Sequence, residues 1–329
     1  MKRAILTGRG IVIGAAITLN ACRGDNVPTM KIDTAAVATN LPPGENYLAV
    51  PGGRIWYKVS GEGSGTPVIL LHGGPGFTSV YMKSLEQLGA DRKVIRYDQL
   101  GSGNSTKVSD TAMFNIPHFV AELEALRAHL GYDKVHLFGH SWGAILGLEY
   151  YRAHPEHVAS LIEASPALDI PAWEKHARDL VKTLPDSMQR VIAKREAEGN
   201  FEAPDYQAAL MEFYGKYVWQ RPVQPELDSI FAGANQGIYN YMQGPSEFTI
   251  TGTLKKYDAT PYLKDVKVPT LFMVGELDEA NPATVKRFAA MTPGSEFAVV
   301  PNAAHIFTWD NPKDANRLIM DFLRSTDSR

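Results

Sequence analysis

Residues 135–148 read Val135-His136-Leu137-Phe138-Gly139-His140-Ser141-Trp142-Gly143-Ala144-Ile145-Leu146-Gly147-Leu148, an apolar run that breaks at Gly-x-Ser-x-Gly and resumes with helical character. A strand that turns straight into a helix at a serine holds that serine in a strained conformation with its hydroxyl exposed, poised as a nucleophile. The glycines are there for steric reasons, since a side chain at Gly139 or Gly143 would crowd the neighbouring strand or helix. With 28 glycines in 329 residues, composition alone yields about 0.1 such pentapeptides, so the strand-turn-helix setting carries the reading.

Outward from this turn the chain alternates. Apolar runs without polar alternation at 68–71, 94–97, 135–138 and 158–164 have the pattern of parallel strands buried on both faces. Between them Phe119, Leu123, Leu126 and Leu130 fall at helical spacing, so the pattern predicts a wound α/β sheet. Residues 47–50 and 55–60 around Pro51-Gly52-Gly53 predict a hairpin that opens the fold. After Ser165-Pro166 the alternation stops: residues 168–250 are rich in Trp, Tyr, Met, Lys and Glu, and they predict an inserted helical cap. Strand patterns resume at 270–274 and 297–300, with a helix over 282–291 between them and an amphipathic helix over 313–323. The expected organisation is a core in two parts, 45–167 and 251–329, interrupted by the cap.

Three further segments supply partners for Ser141. His72-Gly73-Gly74-Pro75-Gly76 follows the strand at 68–71, where glycines let backbone N–H groups approach a substrate. The oxyanion that develops during acyl transfer is then expected between the N–H of Trp142 and one from this loop, Gly74, with Gly73 as the alternate. The acid and the histidine must follow in that order. Gly275-Glu276-Leu277-Asp278-Glu279 lies beyond the strand at 270–274, and His305 lies beyond the strand at 297–300. Both fall at carboxyl ends of strands, where open α/β sheets place their sites. Glu276, Asp278 and Glu279 are rival acids by position. His72 and His140, inside the motifs, are expected to orient loops, and no closely spaced His/Asp/Glu set calls for a metal.

Taken together, His72-Gly73-Gly74-Pro75-Gly76, Asp98-Gln99-Leu100-Gly101-Ser102-Gly103-Asn104-Ser105, Gly139-His140-Ser141-Trp142-Gly143, Gly244-Pro245-Ser246-Glu247-Phe248 and Gly275-Glu276-Leu277-Asp278-Glu279 resemble the ordered signatures of the proline iminopeptidase family of α/β hydrolases. The resemblance implies an α/β-hydrolase fold with a mostly parallel central sheet flanked by helices. It selects Asp278 as the triad acid beside Ser141 and His305. It also implies that Glu247 and Glu279 capture the free amino terminus of a short peptide, proline preferred, with no cofactor. An ammonium buried without a carboxylate partner would cost several kcal/mol, which is why an exopeptidase needs such a pair. The chain departs from the family at Leu100, where Arg is usual, and at His140, where many relatives have Gly. Leu100 is expected to alter the pocket floor, and Trp173, Trp219, Phe213, Tyr214 and Tyr217 to line an apolar pocket for a proline ring. An amidase, esterase or lactonase on the same triad is the nearest rival reading. A non-catalytic binding protein is the third, and the complete triad and oxyanion loop argue against it.

The remaining features bound the setting. Lys2, Arg3 and Arg9 precede an apolar run at 11–19, too short for a membrane-spanning helix and typical of an export signal. Its end, Leu19-Asn20-Ala21-Cys22, resembles the lipobox of bacterial lipoproteins, so residues 1–22 read as a signal ending at a lipidated Cys22, and 23–44 as a flexible tether. The expected location is the cell envelope or periplasm. Cys22 is the only cysteine, which excludes an intramolecular disulfide and thiol chemistry in the core. Lys and Arg total 33 against 36 Asp and Glu, so there is no basic excess to hold nucleic acid.

Overall fold

A computed structural model describes residues 42–328. The expected export signal, Cys22 and residues 23–41 of the expected tether lie outside the described residues. Eight strands form one sheet: β1 (Gly44–Val50), β2 (Gly53–Ser60), β3 (Gly65–Leu71), β4 (Arg92–Asp98), β5 (Val135–His140), β6 (Val158–Ala164), β7 (Thr270–Gly275) and β8 (Glu296–Val300). Their order is β1-β2-β4-β3-β5-β6-β7-β8. The hairpin β1–β2 is antiparallel and pairs antiparallel with β4, while every pairing from β4 to β8 is parallel. The unbroken apolar runs have the physical cause expected of them: β5 and β7 are buried at every position.

Helices α1 (Ile116–His129) and α2 (Trp142–Ala153) flank β5 in sequence. Five helices intervene between β6 and β7: α3 (Ile170–Val181), α4 (Asp186–Ala197), α5 (Pro204–Tyr217), α6 (Gln224–Gly233) and α7 (Gln236–Met242). The chain closes with α8 (Pro282–Met291), the short α9 (Phe307–Asp310) and α10 (Pro312–Asp327). Four starts share one device. Asn115, Asp169, Asn281 and Asn311 each accept a backbone N–H of the first turn, and Pro occupies the first or second helical position. The connection from β3 to β4 is a 3-10 helix, Ser79–Ala90, that buries Tyr81, Met82, Leu85 and Leu88. The carboxyl ends of β3, β5, β7 and β8 thus deliver His72, Ser141, Asp278 and His305 to one edge of the sheet.

Candidate active site

Ser141 has φ 57° and ψ −117°, the strained turn expected between strand and helix. Its N–H donates to the Ala164 carbonyl at 3.0 Å, which pins the turn to β6. A Cβ at Gly139 would stand 2.4 Å from the Gly143 carbonyl oxygen, and one at Gly143 would stand 2.0 Å from that of Leu71. Gly139 therefore lets α2 leave the elbow, and Gly143 lets it pass the end of β3.

Of the three candidate acids, Asp278 is the one hydrogen-bonded to the histidine. His305 Nδ1 and Asp278 Oδ1 are 2.8 Å apart, and Ala280 N–H donates to the same oxygen at 2.8 Å. The other oxygen accepts Ser165 Oγ–H at 2.5 Å and Gly275 N–H at 3.1 Å. Four donors fix the carboxyl plane, and with it the ring of His305. Glu276 is instead exposed and accepts the Asn302 N–H at 2.9 Å. Ser165 is a support that sequence reasoning misses, for the sequence marks it only as the point where alternation stops. Its φ of 46° is what turns its hydroxyl toward Asp278, and no local pattern announces that role.

A hydrogen-bond chain ties the oxyanion loop to the elbow and to His305. Gly73 N–H donates to Tyr81 Oη at 2.7 Å, and Tyr81 Oη and His140 Nδ1 are 2.9 Å apart. His140 Nε2 lies 2.9 Å from the His305 carbonyl, which can only accept, so Nε2 carries the proton and Nδ1 accepts from Tyr81. Burial, and then the neighbouring His305 and His72, hold the pKa of His140 well below the usual histidine range. The ring is a neutral strut. His72 acts similarly, its Nδ1 2.9 Å from the Gly73 carbonyl and its Nε2 accepting Gln99 N–H at 3.0 Å. The Gly73 N–H is committed to Tyr81, and Gly74 lines the same cavity as Ser141. Trp142 opens α2, where a backbone N–H has no intrahelical acceptor, while its indole donates to Gln99 Oε1 at 2.9 Å.

Ser141, His305, Gly73, Gly74, Glu247 and Glu279 all line one narrow cavity of about 20 Å³. Glu279 is buried, with Oε1 3.9 Å from His305 Nε2, and Oε2 has no hydrogen-bond partner. Burial, and after it the charges of Glu247 and Asp278, push its carboxyl well above the usual range. Glu247 accepts Tyr239 Oη–H at 2.5 Å, and its pKa too is raised, by burial against the opposing effects of Tyr239 and His305. Two carboxyls thus line the cavity that Ser141 lines, one held by Tyr239 and the other with an unpartnered oxygen. The end of α5 holds this wall in place, for the Tyr217 carbonyl accepts both Glu279 N–H and His305 N–H, at 3.3 and 3.1 Å.

The five aromatic residues expected to line an apolar pocket divide. Tyr214 and Trp219 line the cavity, and Trp173 meets the His305 ring edge-on with centroids 5.4 Å apart. Phe213 is fully buried against Tyr217 and Phe248 and packs the insertion rather than the cavity. Leu100 does not form a pocket floor: it is buried, and its N–H donates to Glu122 Oε2 at 3.0 Å. The other Glu122 oxygen has no partner, and burial raises that carboxyl to about 8 despite the Leu100 bond.

Residues 66–312 match the family model described as the alpha/beta hydrolase fold. A proline iminopeptidase of Heyndrickxia coagulans is 40% identical over 284 residues, covering 85% of this chain and 99% of that protein. Among solved structures, VinJ superposes with a TM-score of 0.83 at 32% identity, covering 87% of this chain and 100% of that one. The proline iminopeptidase of Mycobacterium smegmatis superposes with a TM-score of 0.78 at 32% identity, covering 86% of this chain and 99% of that one. The relatives span the sheet, the elbow and the helical insertion alike, and on that extent of match the chain belongs to the proline iminopeptidase family of α/β-fold hydrolases.

Proposed function

We propose that the protein is a serine aminopeptidase that releases N-terminal residues, proline preferred, from short peptides through an acyl-enzyme on Ser141. The observation that carries this reading is the pair Glu247 and Glu279, half-buried and buried respectively, lining the cavity that Ser141 and His305 also line. A carboxyl pair raised by burial gains most when a substrate ammonium enters and both groups ionise around it. That places the first residue's amine at the end of the cavity and its carbonyl at the serine, so cleavage stops after one residue.

In this mechanism Ser141 Oγ attacks the carbonyl carbon while His305 Nε2 takes its proton. The bond from His305 Nδ1–H to Asp278 fixes the tautomer with Nε2 free to accept and stabilises the imidazolium. The N–H groups of Trp142 and Gly74 hold the oxyanion, each worth about 10²–10³ in rate. His305 then protonates the leaving amine, and water repeats the sequence on the acyl-enzyme. The test is fluorophosphonate labelling of Ser141 followed by turnover of prolyl and alanyl arylamides against simple acyl esters. Ester turnover without arylamide turnover would replace this reading with the esterase one.

We further propose export to the cell envelope with a lipid anchor on Cys22. The support is the basic start, the short apolar run and Ala21-Cys22 at its end. Mass spectrometry of the mature N-terminus tests it, and an unmodified Cys22 would reject the anchor.

A further inference from the structure

Beside the narrow space at Ser141 lies a second cavity of about 310 Å³, bounded by α5, α6, α7 and residues 199–202. Phe77, Tyr214 and Trp219 line both cavities, so the two adjoin at these side chains. At the outer end Met211 and Phe231, 40% and 56% exposed, belong to the lining and leave apolar surface at the mouth. Leu210 and Ile230 continue the apolar surface inward. The lining contains no Lys, Arg or His and a single acid, Glu202.

We infer that this cavity receives the leaving-group side of the substrate and favours peptides whose second residue is large, apolar and not terminated by a free carboxylate. The inference rests on the aminopeptidase reading above and adds to it the substrate class beyond the scissile bond. With the amine held by Glu247 and Glu279 and the carbonyl at Ser141, only two groups remain to be housed: the first side chain and the rest of the peptide. A proline side chain closes back on its own nitrogen and has nothing to send into 310 Å³. The rest of the peptide has. Apolar surface on the path rewards an aromatic or long aliphatic group there. A terminal carboxylate would lose water with no cation to meet it, so a free dipeptide is the disfavoured form.

The experiment compares kcat/KM for prolyl-phenylalaninamide, prolyl-glycinamide and prolyl-phenylalanine on the native enzyme and on the Phe231→Ala and Met211→Lys variants. The native enzyme should prefer the phenylalaninamide over each of the other two by about tenfold or more. Phe231→Ala should shrink the first preference, and Met211→Lys, by supplying a cation at the mouth, should shrink the second. Turnover of all three within twofold, unmoved by either variant, overturns the inference and leaves the aminopeptidase reading standing. Variants that change the ratio of leucyl to prolyl arylamide, and not the leaving-group ratios, also overturn it, because the cavity then serves the first side chain. No turnover of any prolyl substrate removes the aminopeptidase reading and the inference together.

Discussion

His305 Nε2 lies 3.9 Å from Glu279 Oε1, on the opposite side of the ring from the 2.8 Å contact with Asp278. The nitrogen that shuttles the proton in the proposed mechanism therefore faces a carboxyl that the aminopeptidase reading gives to the substrate amine. Glu247 has no hydrogen bond to the triad and is held by Tyr239. The two acids should not behave alike when altered.

Glu247→Gln should lower kcat/KM for prolyl arylamides by about 10- to 100-fold, the worth of a hydrogen bond to a charged group, and leave acyl esters without an amine within a few-fold. Glu279→Gln should damage both substrate types, the arylamide more, because it alters the surroundings of His305 Nε2 as well as the amine site. Steady-state kinetics on the two series decides. Equal losses for Glu247→Gln on both would contradict the amine-capture role.

Burial raises both carboxyls, so they stay protonated to a higher pH than exposed ones, and an ammonium must displace their protons to bind. For amine substrates kcat/KM should thus rise with pH through a window above the usual carboxylate range, and esters should show a flatter profile there. Calorimetry of an amine inhibitor in buffers of different ionisation enthalpy should register net proton release. Proton uptake, or none, would sink the linkage.

Tyr81→Phe keeps the buried ring but strands the Gly73 N–H and removes the donor to His140 Nδ1. It should lower kcat by about one to two orders of magnitude with little change in KM, since the loop it steadies acts on the transition state. A kcat within twofold of the native value would show that the chain is only structural.

Glu122 offers a stability test. Its folded pKa, about 8 against an ordinary 4.5, means the folded state keeps a proton that the unfolded state releases. Its contribution is therefore fully present below about pH 4.5 and declines as pH rises toward about 8, by roughly a few kcal/mol in all. Urea unfolding of the native protein and Glu122→Gln at pH 6 and 8.5 should show the difference moving in favour of the variant at the higher pH. A pH-independent difference would refute the assignment.

Much of this is legible in the residues themselves. The buried strand runs, the glycines at 139 and 143, and the order of Ser141, Asp278 and His305 are local or sequential signals. They depend on side-chain period, on space for a Cβ and on which strand end a motif follows, all of which neighbouring residues encode. Elements extend beyond their apolar runs, β5 reaching His140 and α10 reaching Asp327, because backbone hydrogen bonding continues past the last apolar side chain.

The long-range supports of the site are of another kind. Tyr81 meets His140 across 59 positions, and Ser165 meets Asp278 across 113. Leu100 turns inward to Glu122 instead of flooring a pocket, and Phe213 goes into packing. Tyrosines, serines and phenylalanines carry no local mark of such roles, because a hydrogen bond or a cavity wall is fixed by where distant backbones come to rest. The sequence named the reacting groups; packing chose their supports and the shape of the space beside them.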